Sequence, residues 1–226
     1  MPGRILMPGN ASYSFNHLIL WQMTHKFFED KRPHNGIDYP DFMENTKKVL
    51  DSENPDKLDE KQLQMYNYKK INFQRSSRVH KTFKVDDELK SLIAKIREPQ
   101  LWMVITEDWC GDSAQNLPYL FLLSELSDNI TFKIIPRDEN LDIMDLYLTN
   151  GGSRSIPKLV SFDKDGNELF QWGPRPKVAQ DNVRKWKSEG QDSSEFANSL
   201  HLWYAKDKGR HLLMEIKQLI SQSIKN

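Results

Sequence analysis

Hydrophobic and polar positions along the chain change from a purely helical pattern to alternating strands and helices near residue 100. Upstream, apolar residues recur at helical spacing over 12–29, 41–50 and 55–73. Residues 1–10 show no such period, and we expect a flexible leader there. The pattern predicts a helical N-terminal extension over 11–80.

The second part of the chain predicts an α/β domain over 81–226. Strands are predicted at 101–105, 130–135, 158–162 and 168–172, and helices after Asp86 and over 110–126, 138–148, 176–187 and within 194–222. Asp165, Gly166 and Asn167 predict a hairpin between the last two strands. This order indicates a central mixed sheet covered by helices on both faces, followed by C-terminal helices.

Charge and cysteine content narrow the possible functions. Lysine plus arginine and aspartate plus glutamate both total 32, so no global attraction to nucleic acid or to a membrane surface is expected. Neither a membrane span nor a signal peptide is predicted. The single cysteine excludes an internal disulfide and, with scattered histidines, predicts no metal site. A lone free thiol suits a reducing cytoplasm.

Cys110 is the candidate reactive group. It follows the first predicted strand and opens the next helix, where unpaired N–H groups and the helix dipole favour a thiolate. Such placement lowers a cysteine pKa from about 8.5 to roughly 3.5–7.5. Ser113 can offer its hydroxyl and N–H to the sulfur, and Gly111 permits close approach of a second chain. The alternative for Cys110 is an inert core residue, and for Asp112 a favourable charge near the dipole.

The same segment resembles the active-site motif of the thioredoxins. Trp109-Cys110-Gly111 stands where that family has Trp-Cys-Gly-Pro-Cys, and Pro118 where its helix carries a proline. Ser155-Ile156-Pro157 resembles the family's cis-proline segment, and Gly173 its glycine facing the active site. The resemblance covers about 85–187 and implies a thioredoxin-like three-layer fold.

A closer resemblance is to a bacterial "thioredoxin family protein" subgroup with a Trp-Cys-Gly-Asp motif. Its Arg-rich segment and its Trp-Tyr tail match 74–78 and 203–209. The resemblance implies that a substrate-docking surface surrounds the Cys110 sulfur. Its members would be Trp109, Gly111, Asp112, Ile156, Pro157 and Gly173.

Two departures from the thioredoxin pattern predict a one-cysteine reaction. Ser113 replaces the second cysteine, and Val104 stands where the family keeps a buried carboxylate. We therefore expect monothiol exchange with protein or small-molecule disulfides. An external low-molecular-weight thiol would resolve the mixed disulfide, and no further cofactor is expected. Arg78, from the basic segment 69–84, or Arg175 could approach the thiolate or an anionic substrate group.

Two other functions stay open. The chain could be a binding or scaffold module that keeps the fold without catalysis. It could also be an iron–sulfur carrier, because Cys-Gly-Asp-Ser resembles the Cys-Gly-Phe-Ser of monothiol glutaredoxins. The carrier ranks lowest, because the residues after Pro157 lack the Gly-Gly-x-Asp pattern of those proteins.

Overall fold

The structure, a computed structural model, describes residues 25–224. The predicted leader and most of the helix predicted over 12–29 lie outside this range. In chain order the elements are α1 (Lys26–Glu29), α2 (Tyr39–Ser52), α3 (Glu60–Thr82), α4 (Asp87–Ile93), β1 (Gln100–Thr106), α5 (Gly111–Ser124), β2 (Ile130–Pro136), α6 (Leu141–Met144), β3 (Lys158–Asp163), β4 (Glu168–Trp172), α7 (Lys177–Ser188), α8 (Ser193–Asp207) and α9 (Arg210–Ser223).

The four strands form one mixed sheet in the order β2-β1-β3-β4. β1 runs parallel to β2 and antiparallel to β3, and β3 pairs antiparallel with β4. The hairpin turn is held by Asp163, whose Oδ1 accepts from the N–H groups of Asp165 and Asn167 at 2.8 and 2.9 Å. The predicted mixed sheet with a terminal hairpin is confirmed.

β1 lies in the interior of the sheet and contributes side chains to a hydrophobic core on each face. Successive residues of a strand point to opposite sides, so Trp102 and Val104 join one cluster and Met103 and Ile105 the other. The first cluster is covered by helices α2 to α5 and by α9. The second includes α1, α6 and Cys110. Helices therefore cover both faces, as the sequence predicts.

α3 runs nine residues beyond the end predicted at 73. Its buried residues are Tyr66, Asn72, Ser76 and Val79, which share one face. Two of these are polar, so the hydrophobic pattern fades although the helix continues. Ser76 donates to the carbonyl of Ala114 at 3.3 Å, which fixes this face against α5.

The helix predicted over 138–148 is shorter than expected. Asn140 has non-helical backbone angles and donates from Nδ2 to the carbonyl of Pro136 at 2.9 Å, so α6 begins only at Leu141. A 3₁₀ turn, Asp145–Tyr147, follows it.

None of the helices within 25–224 has the length and apolar character that crossing a membrane requires.

The link between α8 and α9 depends on a glycine. Gly209 has φ +81°, and a Cβ there would lie 2.6 Å from Cζ of Tyr119, a buried ring on α5. Only glycine accepts both the left-handed backbone and this contact. The turn therefore fixes how the C-terminal helices lie against α5.

We predict that Gly209→Ala lowers the free energy of unfolding by about 2–4 kcal/mol, from backbone strain plus displacement of the Tyr119 ring. Gly190→Ala is the matched control, because Gly190 also has positive φ but a Cβ there meets nothing within 4 Å. The control should lose about 1 kcal/mol. Urea denaturation of both variants measures the difference, and equal losses would contradict the Tyr119 contact.

Candidate functional site

Cys110 is the N-cap residue of α5, directly before a helix of 14 residues. The predicted position at a helix N-terminus is therefore confirmed. The residue is 8% exposed and packs against the core cluster of Met103 and Ile105. Its thiol donates to the carbonyl of Ile156 at 3.3 Å. The sulfur is thus held between the first turn of α5 and the segment that precedes β3.

The expected lowering of the Cys110 pKa is wrong for this structure. Burial raises the pKa of the Cys110 thiol to about 11, and the negative charge of Asp112 adds to the rise. The nearby hydroxyl and N–H of Ser113 and the N–H of Asp112 act in the opposite direction. The helix-end donors are present, but the loss of hydration outweighs them. The thiol is protonated at neutral pH.

The loop before β3 and the end of β4 meet beside the sulfur. The Ile156–Pro157 peptide bond is cis, and both residues are buried. Gly173 has φ +117°, and a Cβ there would lie 2.1 Å from the carbonyl oxygen of Pro157. A side chain at this position would force the two segments apart. Cys110, Ile156, Pro157 and Gly173 are therefore brought together as predicted from the resemblance.

Trp109 lies half-buried at the edge of the second core cluster. The guanidinium carbon of Arg137 sits 4.9 Å from the centroid of its ring, a cation–π contact. Asp108, the preceding residue, pairs with Lys69 at 3.1 Å and accepts from Nδ2 of Asn72 through its carbonyl at 3.3 Å. α3 thus anchors the loop that carries Trp109 and Cys110.

Asp112 is buried within a network of side chains and does not face a docking surface. Tyr204 donates its hydroxyl hydrogen to Oδ1 at 2.6 Å, and Nη2 of Arg175 donates to Oδ2. Nδ2 of Asn116 donates to the Tyr204 hydroxyl at 3.0 Å and to the Asp112 carbonyl at 2.8 Å. Arg175 is therefore placed at the site, where its partner is the Asp112 carboxylate.

Ser113 is buried, and its hydroxyl makes a close hydrogen bond with the hydroxyl of Thr106, the last residue of β1. Ser113 also acts to lower the pKa of the nearby Cys110 thiol. Its hydroxyl thus links the end of β1 to the first turn of α5.

Arg78 does not join this cluster. It is exposed and lines a separate cleft with Tyr119 and Lys208. The arginine of the basic segment that reaches the motif is Arg75, whose Nη1 lies 3.9 Å from the point where a Cβ on Gly111 would stand. One helical turn separates the two arginines, and the sequence pattern alone does not distinguish them.

His201 on α8 is a site residue that sequence reasoning missed. Its Cε1 and Nε2 lie 2.9 and 3.2 Å from the Cβ position of Gly111. Burial, with Arg75 and Arg175 adding to it, lowers the pKa of His201 to about 4, so the ring is neutral at pH 7. Its Nδ1 is buried and has no hydrogen-bond partner within residues 25–224. Tyr204 lies in the Trp-Tyr tail noted above, but no sequence signal links either residue to residues 110–112.

Comparisons with known proteins identify the fold. A family model described as thioredoxin matches residues 59–187. The match begins with α3, inside the predicted N-terminal extension. No curated protein matches the chain.

Two solved structures support the same architecture. A protein of unknown function from Pseudomonas aeruginosa has a TM-score of 0.59 at 18% identity, covering 85% of this chain and 96% of that one. An HIV epitope-scaffold has a TM-score of 0.54, with the same identity and coverage. At this identity the likeness concerns the fold alone. With the family match, it confirms the thioredoxin-like fold expected from the sequence.

We predict that Asp112→Asn lowers the pKa of Cys110, because it removes a negative charge that opposes ionisation of the thiol. The pH dependence of alkylation by iodoacetamide measures this pKa directly, since the chain has one cysteine. Asp108→Asn is the control, because Asp108 is close in sequence but is not among the groups that shift the Cys110 pKa. A Cys110 pKa that does not change in Asp112→Asn would contradict the assignment.

Proposed function

Because this chain belongs to the thioredoxin family, we propose that it carries out monothiol thiol–disulfide exchange, with Cys110 as nucleophile and an external thiol as resolver. The observation that carries the proposal is the position of Cys110 as the N-cap residue of α5, where the N–H groups of Asp112 and Ser113 act to lower the pKa of the thiol. These donors stabilise negative charge on sulfur whenever the thiol ionises. Protein or small-molecule disulfides are the proposed substrates.

The first step forms a mixed disulfide. Cys110 loses its proton to solvent, and its sulfur attacks one sulfur of the substrate disulfide. A bond forms between Cys110 and that sulfur, the substrate S–S bond breaks, and the other sulfur leaves as a thiolate that takes up a proton. Substrate entry must also displace the thiol from the carbonyl of Ile156, which leaves that carbonyl free to accept from a substrate N–H.

The second step needs a thiol from outside the chain. Ser113 occupies the place of a second cysteine and has no thiol to attack the mixed disulfide. An external thiolate attacks the substrate-derived sulfur, and Cys110 leaves as a thiolate that is then protonated. After both steps, one substrate sulfur is released as a thiol, the other ends in a disulfide with the external thiol, and Cys110 is regenerated. Ser113 supports Cys110 as leaving group through its hydroxyl and N–H.

The raised pKa of the Cys110 thiol limits the rate of the proposed exchange. With a pKa of about 11, roughly one Cys110 thiol in 10⁴ is ionised at pH 7. Exchange should therefore be slow at neutral pH and accelerate about tenfold per pH unit until the thiol titrates. The small ionised fraction also fits a single thiol that persists unmodified in a reducing cytoplasm.

The Trp-Cys-Gly-Asp-Ser segment supports placing the chain in the single-cysteine bacterial subgroup.

A second candidate function is a binding module without catalysis. The observation in its favour is that the Trp109-Cys110-Gly111 motif is largely shielded from solvent. His201 lies against Gly111, and only 8% of Cys110 is exposed. In that case Cys110 is a packing residue, and partner binding does not depend on its sulfur.

We predict that the protein turns over a glutathionylated peptide repeatedly only when a thiol is added, at a rate that rises from pH 6 to pH 10. Cys110→Ser should abolish this added rate, because an alcohol cannot form the mixed disulfide. Without added thiol the natural chain should stop at the mixed disulfide, whereas Ser113→Cys should release both the peptide thiol and glutathione once per chain, because a second sulfur can then resolve the intermediate. Chromatographic assay of free peptide and free glutathione measures all three.

Equal rates for the natural chain and Cys110→Ser would contradict the exchange proposal and leave the binding module. Circular dichroism of both variants establishes that they are folded. Cys110→Ala, which has no group able to bond to Ile156, separates loss of the sulfur from any effect of the serine hydroxyl.

A further inference from the structure

Three basic side chains from different parts of the chain lie around Gly111 and Asp112. Arg75 comes from α3, His201 from α8, and Arg175 from the segment between β4 and α7. The Arg75 guanidinium and the His201 ring both lie beside the backbone of Gly111. Arg175 is close enough to both Asp112 and His201 to shift the pKa of each. Gly111 follows Cys110 directly, so this cluster lies one residue along the chain from the thiol.

The positive charge of this cluster exceeds the negative charge paired with it. Asp112 is the carboxylate bonded within it, and both of its oxygens are occupied, by Tyr204 and Arg175. Arg75 forms no ion pair with any residue between 25 and 224. Its one side-chain hydrogen bond there goes from Nη1 to the amide oxygen of Asn72, at 3.1 Å.

Arg75 carries this unpaired charge in a half-buried position. Burial lowers the pKa of Arg75, and the neighbouring charge of Arg78 lowers it further. A cation that has lost hydration and gained no counterion is unfavourable, and proteins normally pair such groups. Two further nitrogens nearby, Nε of Arg175 and Nδ1 of His201, are buried without a partner among the described residues. The cluster therefore has positive charge and unpartnered polar nitrogens, but Arg75 has no counterion among residues 25–224.

A small carboxylate fits this deficit. A guanidinium presents a planar pair of N–H groups that matches the two oxygens of a carboxylate. The space beside Gly111 is narrow, because His201 already stands within contact distance of the Cβ position. The cluster adjoins the residue that follows Cys110. A molecule that reacts with the thiol could therefore place a small carboxylate there.

We propose that Arg75, with His201 beside it, binds the carboxylate of the external thiol that resolves the mixed disulfide at Cys110. The inference rests on the proposed monothiol exchange and identifies its reductant as a carboxylate-bearing small thiol. Binding neutralises Arg75 and holds the thiol sulfur near the mixed disulfide, which converts an encounter between two molecules into an attack within a complex. Arg75 is then a specificity-determining residue that does not touch the reacting sulfur atoms.

The test compares two thiols of similar size that differ in charge. Cys110 is first converted to its mixed disulfide with 2-mercaptoethanol, which is unique because the chain has one cysteine. Intact-protein mass spectrometry then follows the return of the free chain with 3-mercaptopropionate or with 2-mercaptoethanol, each rate divided by the thiolate concentration. The natural protein should react about ten times faster with the carboxylate thiol. Added salt should reduce this preference.

Variants of two neighbouring arginines separate a bound carboxylate from a general effect of charge. Arg75→Gln should lose the preference, and Arg75→Lys should keep part of it, because lysine retains the charge but not the fork. Arg78→Gln is the matched control, one turn away on α3 and exposed, and should keep the preference in full. Equal rates for the two thiols, or an equal loss in Arg75→Gln and Arg78→Gln, would overturn the inference.

A second measurement examines the carboxylate site without exchange chemistry. 3-(Methylthio)propionate has the carboxylate but no thiol, and its binding can be followed through the NMR signals of the His201 ring. Saturable shifts in the natural protein that vanish in Arg75→Gln support the site, and no shift overturns it. If the site binds this compound but neither thiol frees Cys110, the exchange proposal fails and the assignment of the bound carboxylate to a resolving thiol fails with it.

Discussion

The buried carboxylate of Asp112 is the contact on which the arrangement around Cys110 depends. It lies in the first turn of α5, and its two oxygens bind Tyr204 from α8 and Arg175 from the segment after β4. Tyr204 stands 92 residues away along the chain. A charge removed from water must be compensated by such partners, and removing one leaves the other groups buried and unpaired. This pairing holds α8 across the start of α5, which in turn places His201 against Gly111.

The same contact explains why the thiol is not activated in this conformation. The first turn of a helix contributes about half a positive charge, which favours a thiolate. The Asp112 carboxylate lies next to that turn, and its charge acts on Cys110 in the opposite direction. Burial of the sulfur adds the larger effect. The start of α5 therefore favours a thiolate, while burial and the Asp112 charge keep the thiol neutral in this structure.

The sequence was sufficient for features that depend on local pattern or on a linear motif. The strands, the hairpin at 165–167 and the position of Cys110 at a helix start all follow from residues within a short window. The extent of α3 was not predictable from hydrophobic spacing, because Asn72 and Ser76 occupy its buried face. Choosing Arg75 over Arg78 needs the rotation of that helix against α5, which a basic segment does not reveal.

The His201 and Tyr204 contacts were hidden for a different reason. They arise from how α8 returns over the domain, and α8 packs with α7 in a separate apolar cluster that includes Leu200 and Ala179. Periodicity predicts that such helices exist and which face is apolar, but not where they dock. The direction of the Cys110 pKa shift was missed for the same reason, since a sequence shows the helix dipole but not the burial of the sulfur.

The central claim is that burial of the sulfur beside a paired carboxylate keeps Cys110 protonated. The most direct measurement is the ¹³C shift of the cysteine Cβ in protein labelled at its single cysteine, followed from pH 6 to pH 12. The account predicts one ionisation with a midpoint near the pKa of about 11. A midpoint at or below about 8.5, the value of a free cysteine, would contradict it.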